Sequence, residues 1–167
     1  MDAWIVMHAT NARPAGRIHG SLGRLPVAWS PAYIAAMATR LFYRMTDGIR
    51  ITVRPEYAPE HSDPAEPRFV FIYFIRIENV GDKTAQLVLR HWDIHDEEAG
   101  LSHVDGEGVI GEQPVLAPGD VHEYSSFCVL RARRGYMQGW YELNRPDGTT
   151  FRAVIPRFEL NASQETP

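Results

Sequence analysis

Three side chains with metal-binding chemistry stand at alternate positions, His91, Asp93 and His95. In an extended strand every second side chain points the same way, with roughly 6.6 Å between neighbours on one face. Two imidazoles and a carboxylate suit a divalent transition metal. That spacing alone does not close a site, and a further ligand must come from another strand. His103 and His122 are the candidates. The plainer alternative is a row of polar residues on a solvated sheet face. No cofactor is expected beyond a weakly held divalent metal.

A second motif, Gly106-Glu107-Gly108-Val109-Ile110-Gly111, fits the G-x-G-x-x-G pattern that lets backbone amides approach a pyrophosphate at a helix start. Here Glu112-Gln113-Pro114 follows, so no helix supplies a dipole. Gly106, Gly108 and Gly111 are therefore either an anion-binding nest or a tight crossover between strands, and Glu107 and Glu112 weigh against the phosphate. Asp96-Glu97-Glu98 lacks the alternating oxygens of a calcium loop and reads as a hairpin tip. Arg131, Arg133 and Arg134 before Gly135-Tyr136 form the one basic cluster of the folded part, suited to a phosphate or a carboxylate-rich partner. No nucleophile elbow and no H-E-x-x-H helix occurs, and Cys128 lies in an apolar strand where a thiol is inert. These residues point to binding rather than catalysis.

The elements that must position them are strands. Ile49, Ile51 and Val53 alternate with Arg50, Thr52 and Arg54, a half-buried strand that Pro55 weakens. Residues 57–67 carry three prolines and several acids and read as a loop. Phe69 to Ile77 has apolar side chains on both parities, as for a central strand covered on two sides. The turn at Asn79 to Lys83 predicts a hairpin with the strand from Thr84 to Asp96. In that strand a bulge near Arg90-His91 would keep Leu87, Leu89, Trp92 and Ile94 all inward. Pro118-Gly119-Asp120 and Arg145-Pro146-Asp147-Gly148 mark later turns. Six or seven strands without an amphipathic helix predict an all-β fold, an antiparallel sandwich.

At 167 residues the chain suits one domain. Its composition is that of a globular protein, 44% hydrophobic and 23% charged. A net charge of -4 gives no basic footprint, so nucleic acid is an unexpected partner. One cysteine excludes an internal disulfide and fits the cytoplasm. The longest apolar run, residues 69–75, is far short of the ~20 residues a membrane helix needs, so no membrane insertion is expected. Residues 1–44 hold all five arginines of the first 45 positions and one acid, and read as a poorly ordered arm. The arm lacks the apolar centre of a secretory signal and reads as a targeting peptide, a basic interaction tail or an over-extended start, with Met37 and Met45 as alternative starts. A folded domain is expected over 45–160 and a polar tail over 161–167.

From Phe42 to Leu160 the chain resembles the ApaG family. The residues that carry the likeness are Asp47 to Val53, Ile77-Glu78-Asn79 with Gly81, Leu89 to Ile94, the run Gly106 to Gly119, Glu123 to Ser126, Met137-Gln138-Gly139 with Tyr141, and Ile155-Pro156 with Phe158. The sequence departs from that pattern at Phe127-Cys128-Val129 and over Arg131 to Tyr136. The resemblance implies an immunoglobulin or fibronectin type III-like β-sandwich. It also implies an association with cobalt and magnesium efflux, and genes that neighbour a dinucleoside-tetraphosphate hydrolase. Similar domains in a eukaryotic F-box protein and a polymerase-interacting protein imply protein recognition. The expected function is a non-enzymatic interaction module with a protein partner, or a second copy of the chain, contacting Arg131, Arg133, Arg134 and Tyr136. The alternative is a sensor of metal or nucleoside polyphosphate.

Overall fold

A computed structural model of the chain describes residues 40–162. The arm over 1–44 therefore falls outside the described residues except at its last positions, as does the tail after Ala162. The first strand, β1 (Phe42–Thr46), already begins three residues inside the expected arm, and Asn161 still belongs to the last strand. After β1 come β2 (Ile49–Tyr57), a one-turn 3-10 helix (Pro59–His61), β3 (Phe69–Asn79), β4 (Ala85–Asp96), β5 (Gly100–Glu107), β6 (Val115–Leu116), β7 (Val121–Leu130), β8 (Arg134–Asn144) and β9 (Thr150–Asn161). The nine strands form two antiparallel sheets. One has the order β1-β2-β3-β7; the other has β5-β4-β8-β9, with β6 on the same side of β4 as β5. The all-β sandwich follows the expectation, although β1 and the two-residue β6 were not foreseen.

The core lies between the sheets because alternate residues of each strand point there. Ile49, Ile51 and Val53 of β2 and Phe71, Tyr73, Ile75 and Ile77 of β3 meet Leu87, Trp92 and Ile94 of β4, Met137, Tyr141 and Leu143 of β8, and Ile155 and Phe158 of β9. Trp92 is fully buried at the centre, with ring centroids 5.5 Å from Tyr73, 6.1 Å from Phe158 and 6.3 Å from Tyr141. The latter two pairs are edge-to-face, which the ring quadrupole favours. β3 is not covered by protein layers on both sides. Its other parity, Ile72 and Phe74, is half-buried on the outer face, where the Arg54 guanidinium lies 4.0 Å from the Phe74 ring centre. Pro55 does not end its strand: β1 pairs only as far as Val53, so the missing N–H faces beyond the end of β1.

Two expectations about β4 are corrected. First, β3 and β4 are not a hairpin; β3 pairs with β2 and β7, whereas β4 belongs to the other sheet. The turn at 79–84 is an arch between sheets, held by the buried Asn79. Its Nδ2 donates to the carbonyls of Lys83 (2.8 Å) and Leu116 (2.9 Å), and its Oδ1 accepts from the Gly81 amide at 3.1 Å. Second, the bulge sits at Val88, where the β4–β8 register shifts between Leu87 and Leu89. It comes before Leu89, so Leu89 faces outward while Leu87, Trp92 and Ile94 stay in the core.

A further crossing, from β7 to β8, depends on Asp96 at the opposite end of β4. This carboxylate, only 6% exposed, accepts amides from its own turn, Glu98 (2.9 Å) and Ala99 (3.2 Å), and from the crossing, Arg131 (2.6 Å) and Ala132 (3.1 Å). Replacing it by alanine leaves four amides without this acceptor. Hydrogen bonds to charged acceptors are among the strong ones, and we expect Asp96→Ala to cost about 2–4 kcal/mol in urea-induced unfolding with an unchanged m-value. A loss below about 0.5 kcal/mol would show that the two turns hold their shape without it.

Candidate functional site

Strand pairing decides which polar side chains meet. The β4–β5 hairpin places Asp105 opposite His91 and His103 opposite Asp93. All four lie on the outer face of the five-stranded sheet as a square of cross-strand and same-strand neighbours. The Asp93 Oδ1 lies 2.7 Å from His103 Nδ1 and 3.0 Å from His91 Nε2, and His91 Nδ1 is 2.6 Å from Asp105 Oδ1. One ligand atom each from His91, Asp93 and His103 falls within 4.8 Å of the others. The expected set was His91, Asp93 and His95; the third place is taken by His103. His95 lies on the same face but is stacked on Tyr136, ring centroids 4.7 Å apart and planes 5° apart. His122, the other candidate, is on β7 in the opposite sheet, where burial pulls its imidazole down against the pull of Glu112.

Around this square runs an aromatic row. His91 is stacked between His103 (5.8 Å) and Trp140 (5.1 Å), and the Arg152 guanidinium covers Trp140 at 3.9 Å. Farther along, Arg157 covers Tyr136 at 3.5 Å. Trp140, Arg152 and Arg157 were missed by sequence reasoning. The β8–β9 pairing brings Arg152 to the Trp140 side of the sheet, and Arg157 reaches Tyr136 through a second bulge, where the register shifts between Gly139 opposite Ile155 and Met137 opposite Phe158. Pro156-Arg157 absorbs the extra residue, turning Arg157 outward and Phe158 into the core. The pairing of His103 with Asp93 was legible in principle, since a tight turn centred on Glu98, with Asp96 opposite Gly100, sets that register.

The glycine loop is a detour on the edge of β4, between β5 and β6. Arg90 Nη1 donates to the carbonyls of Glu107 and Gly108, both at 2.8 Å, and a Cβ on Gly106 would come within 2.5 Å of the same guanidinium. Gly108 has φ +55° and a Cβ there would lie 2.0 Å from the Glu112 carbonyl oxygen. The Gly108 amide donates to Val88, while Val109 and Glu112 bond each other reciprocally, so three amides of this segment are spent inside the protein. Arg131, Arg133 and Arg134 are exposed, and Arg134 shares its outward parity with Tyr136. Among the possible nucleophiles, Cys128 is buried and its thiol is pushed up to about 12 by burial, with Asp96 adding to the rise.

The electrostatics of the square have opposite signs at its two central groups. Partial burial pulls the His91 imidazole down, but the hydrogen bonds to Asp105 and Asp93 outweigh it and leave it above its ordinary 6.5. For Asp93, burial pushes upward and is outweighed by His103, Gln138 and His91, which hold it below the ordinary 3.8. The raised His91 adds stability that is fully present below pH 6.5 and is lost as pH rises through the folded pKa. The depressed Asp93 adds stability that is fully present above 3.8 and is lost as pH falls through its own. We therefore expect an NMR titration to place His91 above 6.5 and stability to decline by less than about 1 kcal/mol over the same interval. Asp105→Asn should lower both the His91 midpoint and that decline; an unmoved midpoint would remove the carboxylate from the account.

Comparison with known proteins agrees with this architecture. The ApaG domain model matches residues 59–145. Protein ApaG of Rhodospirillum centenum is 44% identical over 122 residues, 73% of this chain and 94% of that one. Protein ApaG of Thiobacillus denitrificans is 50% identical over 112 residues, 67% of this chain and 88% of the relative. A crystal structure of a Bordetella pertussis protein described as a putative ApaA superposes with a TM-score of 0.68 at 40% identity, covering 74% of this chain and 97% of that one. No helix among the described residues is long and apolar enough to cross a membrane. Matched by the family model over more than half its length and by relatives at 44–50% identity, the chain belongs to the ApaG family.

Proposed function

We propose that this chain is a cytoplasmic, non-enzymatic binding module that recognises a protein partner with the outer face of its five-stranded sheet. Its bearing on cobalt and magnesium efflux, an association the family resemblance carries, is then indirect and runs through that partner. The observation that supports the reading is the contrast between the two outer faces. On the four-stranded sheet, Arg50–Glu78 (2.8 Å), Arg76–Glu78 (3.0 Å) and Arg76–Glu123 (2.6 Å) neutralise one another, and two hydrogen bonds, from Arg50 and then Arg76, hold the Glu78 carboxyl down at about 2. Such a satisfied, solvated network offers a partner little. The opposite face instead carries half-buried rings, His91, His95, Tyr136 and Trp140, with the guanidiniums of Arg152 and Arg157 over two of them. Aromatic and arginine side chains of this kind dominate recognition surfaces, because they bury much area at low entropic cost. Arg134 extends the face toward the exposed Arg131 and Arg133.

The reading of the glycine loop as a polyphosphate cradle gains less support, since its amides and carbonyls are engaged by Val88, Glu112 and Arg90. The buried thiol of Cys128 supports a binding role over nucleophilic chemistry. A photocrosslinking amino acid at position 138, between the two ring stacks, tests the proposal in cells against one at position 52 on the other face. A single protein captured from 138 and none from 52 is the expected result. Capture of a second copy of this chain would reassign the face to a homodimer, and equal capture from both positions would end the proposal.

A further inference from the structure

We propose that His91, Asp93 and His103 form a three-ligand site for a transition-metal dication, with Asp105 positioning the His91 ring and His95 taking no part. This inference stands on the hairpin geometry and does not depend on the partner proposed above.

The separations decide whether a cation fits. In a tetrahedral site with bonds of ~2.0–2.1 Å to nitrogen and oxygen, ligand atoms lie ~3.3 Å apart. The Asp93 Oδ1 is 3.0 Å from His91 Nε2 and 2.7 Å from His103 Nδ1, so these two contacts need to open by a few tenths of an ångström, while the two imidazole nitrogens, within 4.8 Å of each other, turn toward the ion by side-chain rotation. Both imidazoles already aim a ring nitrogen at one carboxylate oxygen. No backbone movement is needed, because Asp93 and His103 are direct partners in the ladder and His91 is the next outward residue of β4.

The surroundings supply what a ligating imidazole needs. Its second nitrogen is ordinarily held by a carboxylate or carbonyl, which fixes tautomer and ring orientation. His91 Nδ1 is 2.6 Å from Asp105 Oδ1, leaving Nε2 as the free ligand atom on the Asp93 side. Trp140 stacks against the His91 ring with planes 16° apart and limits its rotation. The Gln138 amide approaches the other oxygen of Asp93, Oδ2, at 3.4 Å, consistent with Oδ1 being the one that meets the imidazoles. The His103 side chain is 55% exposed, so a fourth position remains open to water.

The donor set also selects the metal. Two imidazole nitrogens and one carboxylate oxygen suit zinc, cobalt or nickel, whereas magnesium demands a nearly complete oxygen octahedron. The site should therefore separate zinc and cobalt from magnesium, with one ion per chain.

Calorimetric titration of the full chain with zinc chloride tests this, alongside His103→Ala, Asp93→Asn, His95→Ala and Asp105→Asn. Thermal unfolding of each apo variant checks the fold. We expect one saturable site, weakened at least roughly tenfold in His103→Ala and Asp93→Asn, weakened less in Asp105→Asn and unaltered in His95→Ala. Cobalt(II) in place of zinc should give the intense visible bands of a four-coordinate ion, lost in His103→Ala, and a large excess of magnesium should not displace it. Zinc shifts should appear in the His91 and His103 ring resonances. The proposal is overturned by absent zinc heat, by zinc heat that survives in His103→Ala, by equal loss in His95→Ala, or by displacement with equimolar magnesium.

Discussion

This chain passes between the sheets three times, from β3 to β4, from β6 to β7 and from β7 to β8, and at such crossings backbone polar groups have no ladder partner. An unpaired buried amide or carbonyl costs about as much as a lost hydrogen bond, so these crossings need dedicated partners. Asn79 and Asp96 supply them at opposite ends of β4. Both side chains are almost wholly buried, and both bond segments distant in sequence. Asp96 has a further effect on the site. It holds the β4–β5 turn through the amides of Glu98 and Ala99, and that turn sets which residue of β5 faces which residue of β4. The meeting of His103 with Asp93 is thus connected to the crossing that brings β7 to β8.

Two one-residue irregularities then sort side chains between core and surface. A strand's side chains alternate strictly, so an inserted residue exchanges the faces of everything beyond it. At Val88 the shift leaves Leu87 inside and brings Trp92 and Ile94 inside on the other parity, with His91, Asp93 and His95 outside. At Pro156-Arg157 the shift puts Ile155 and Phe158 both inside and Arg157 over Tyr136. The glycine loop belongs to the same arrangement. The Gly108 amide bonds the Val88 carbonyl, and Arg90, just after the bulge, holds the loop's carbonyls. Gly106 and Gly108 are accounted for by close packing against the Arg90 guanidinium and the Glu112 carbonyl, and Gly111 by its φ of +74°.

The outer faces differ because their charges do. Alternating arginine and glutamate across β2, β3 and β7 pair off, whereas β4, β5, β8 and β9 present imidazoles, aromatic rings and guanidiniums stacked face to face. Stacking keeps each ring half-buried without a partner protein while leaving its edge in water.

Much of this was legible in the residues themselves. Alternation in Ile49 to Val53 and turn chemistry at Pro118 to Asp120 and Arg145 to Gly148 determined an antiparallel all-β chain, and the ordered motifs from Asp47 to Phe158 carried the ApaG likeness. The shared face of His91, Asp93 and His95 followed from period two alone. Local pattern could not say that the turn after Asn79 crosses between sheets, because an arch and a hairpin use the same turn residues and differ only in what their strands find to pair with. Nor could it place the bulges, since a parity shift is decided by packing against a neighbouring strand. Strand pairing set His103 rather than His95 beside Asp93 and brought Trp140 and Arg152 to the same surface, and the bulges decided which side of the sheet His91 and Arg157 take. Distances within one strand come from backbone geometry, while distances between strands come from register, and register is set by the whole core.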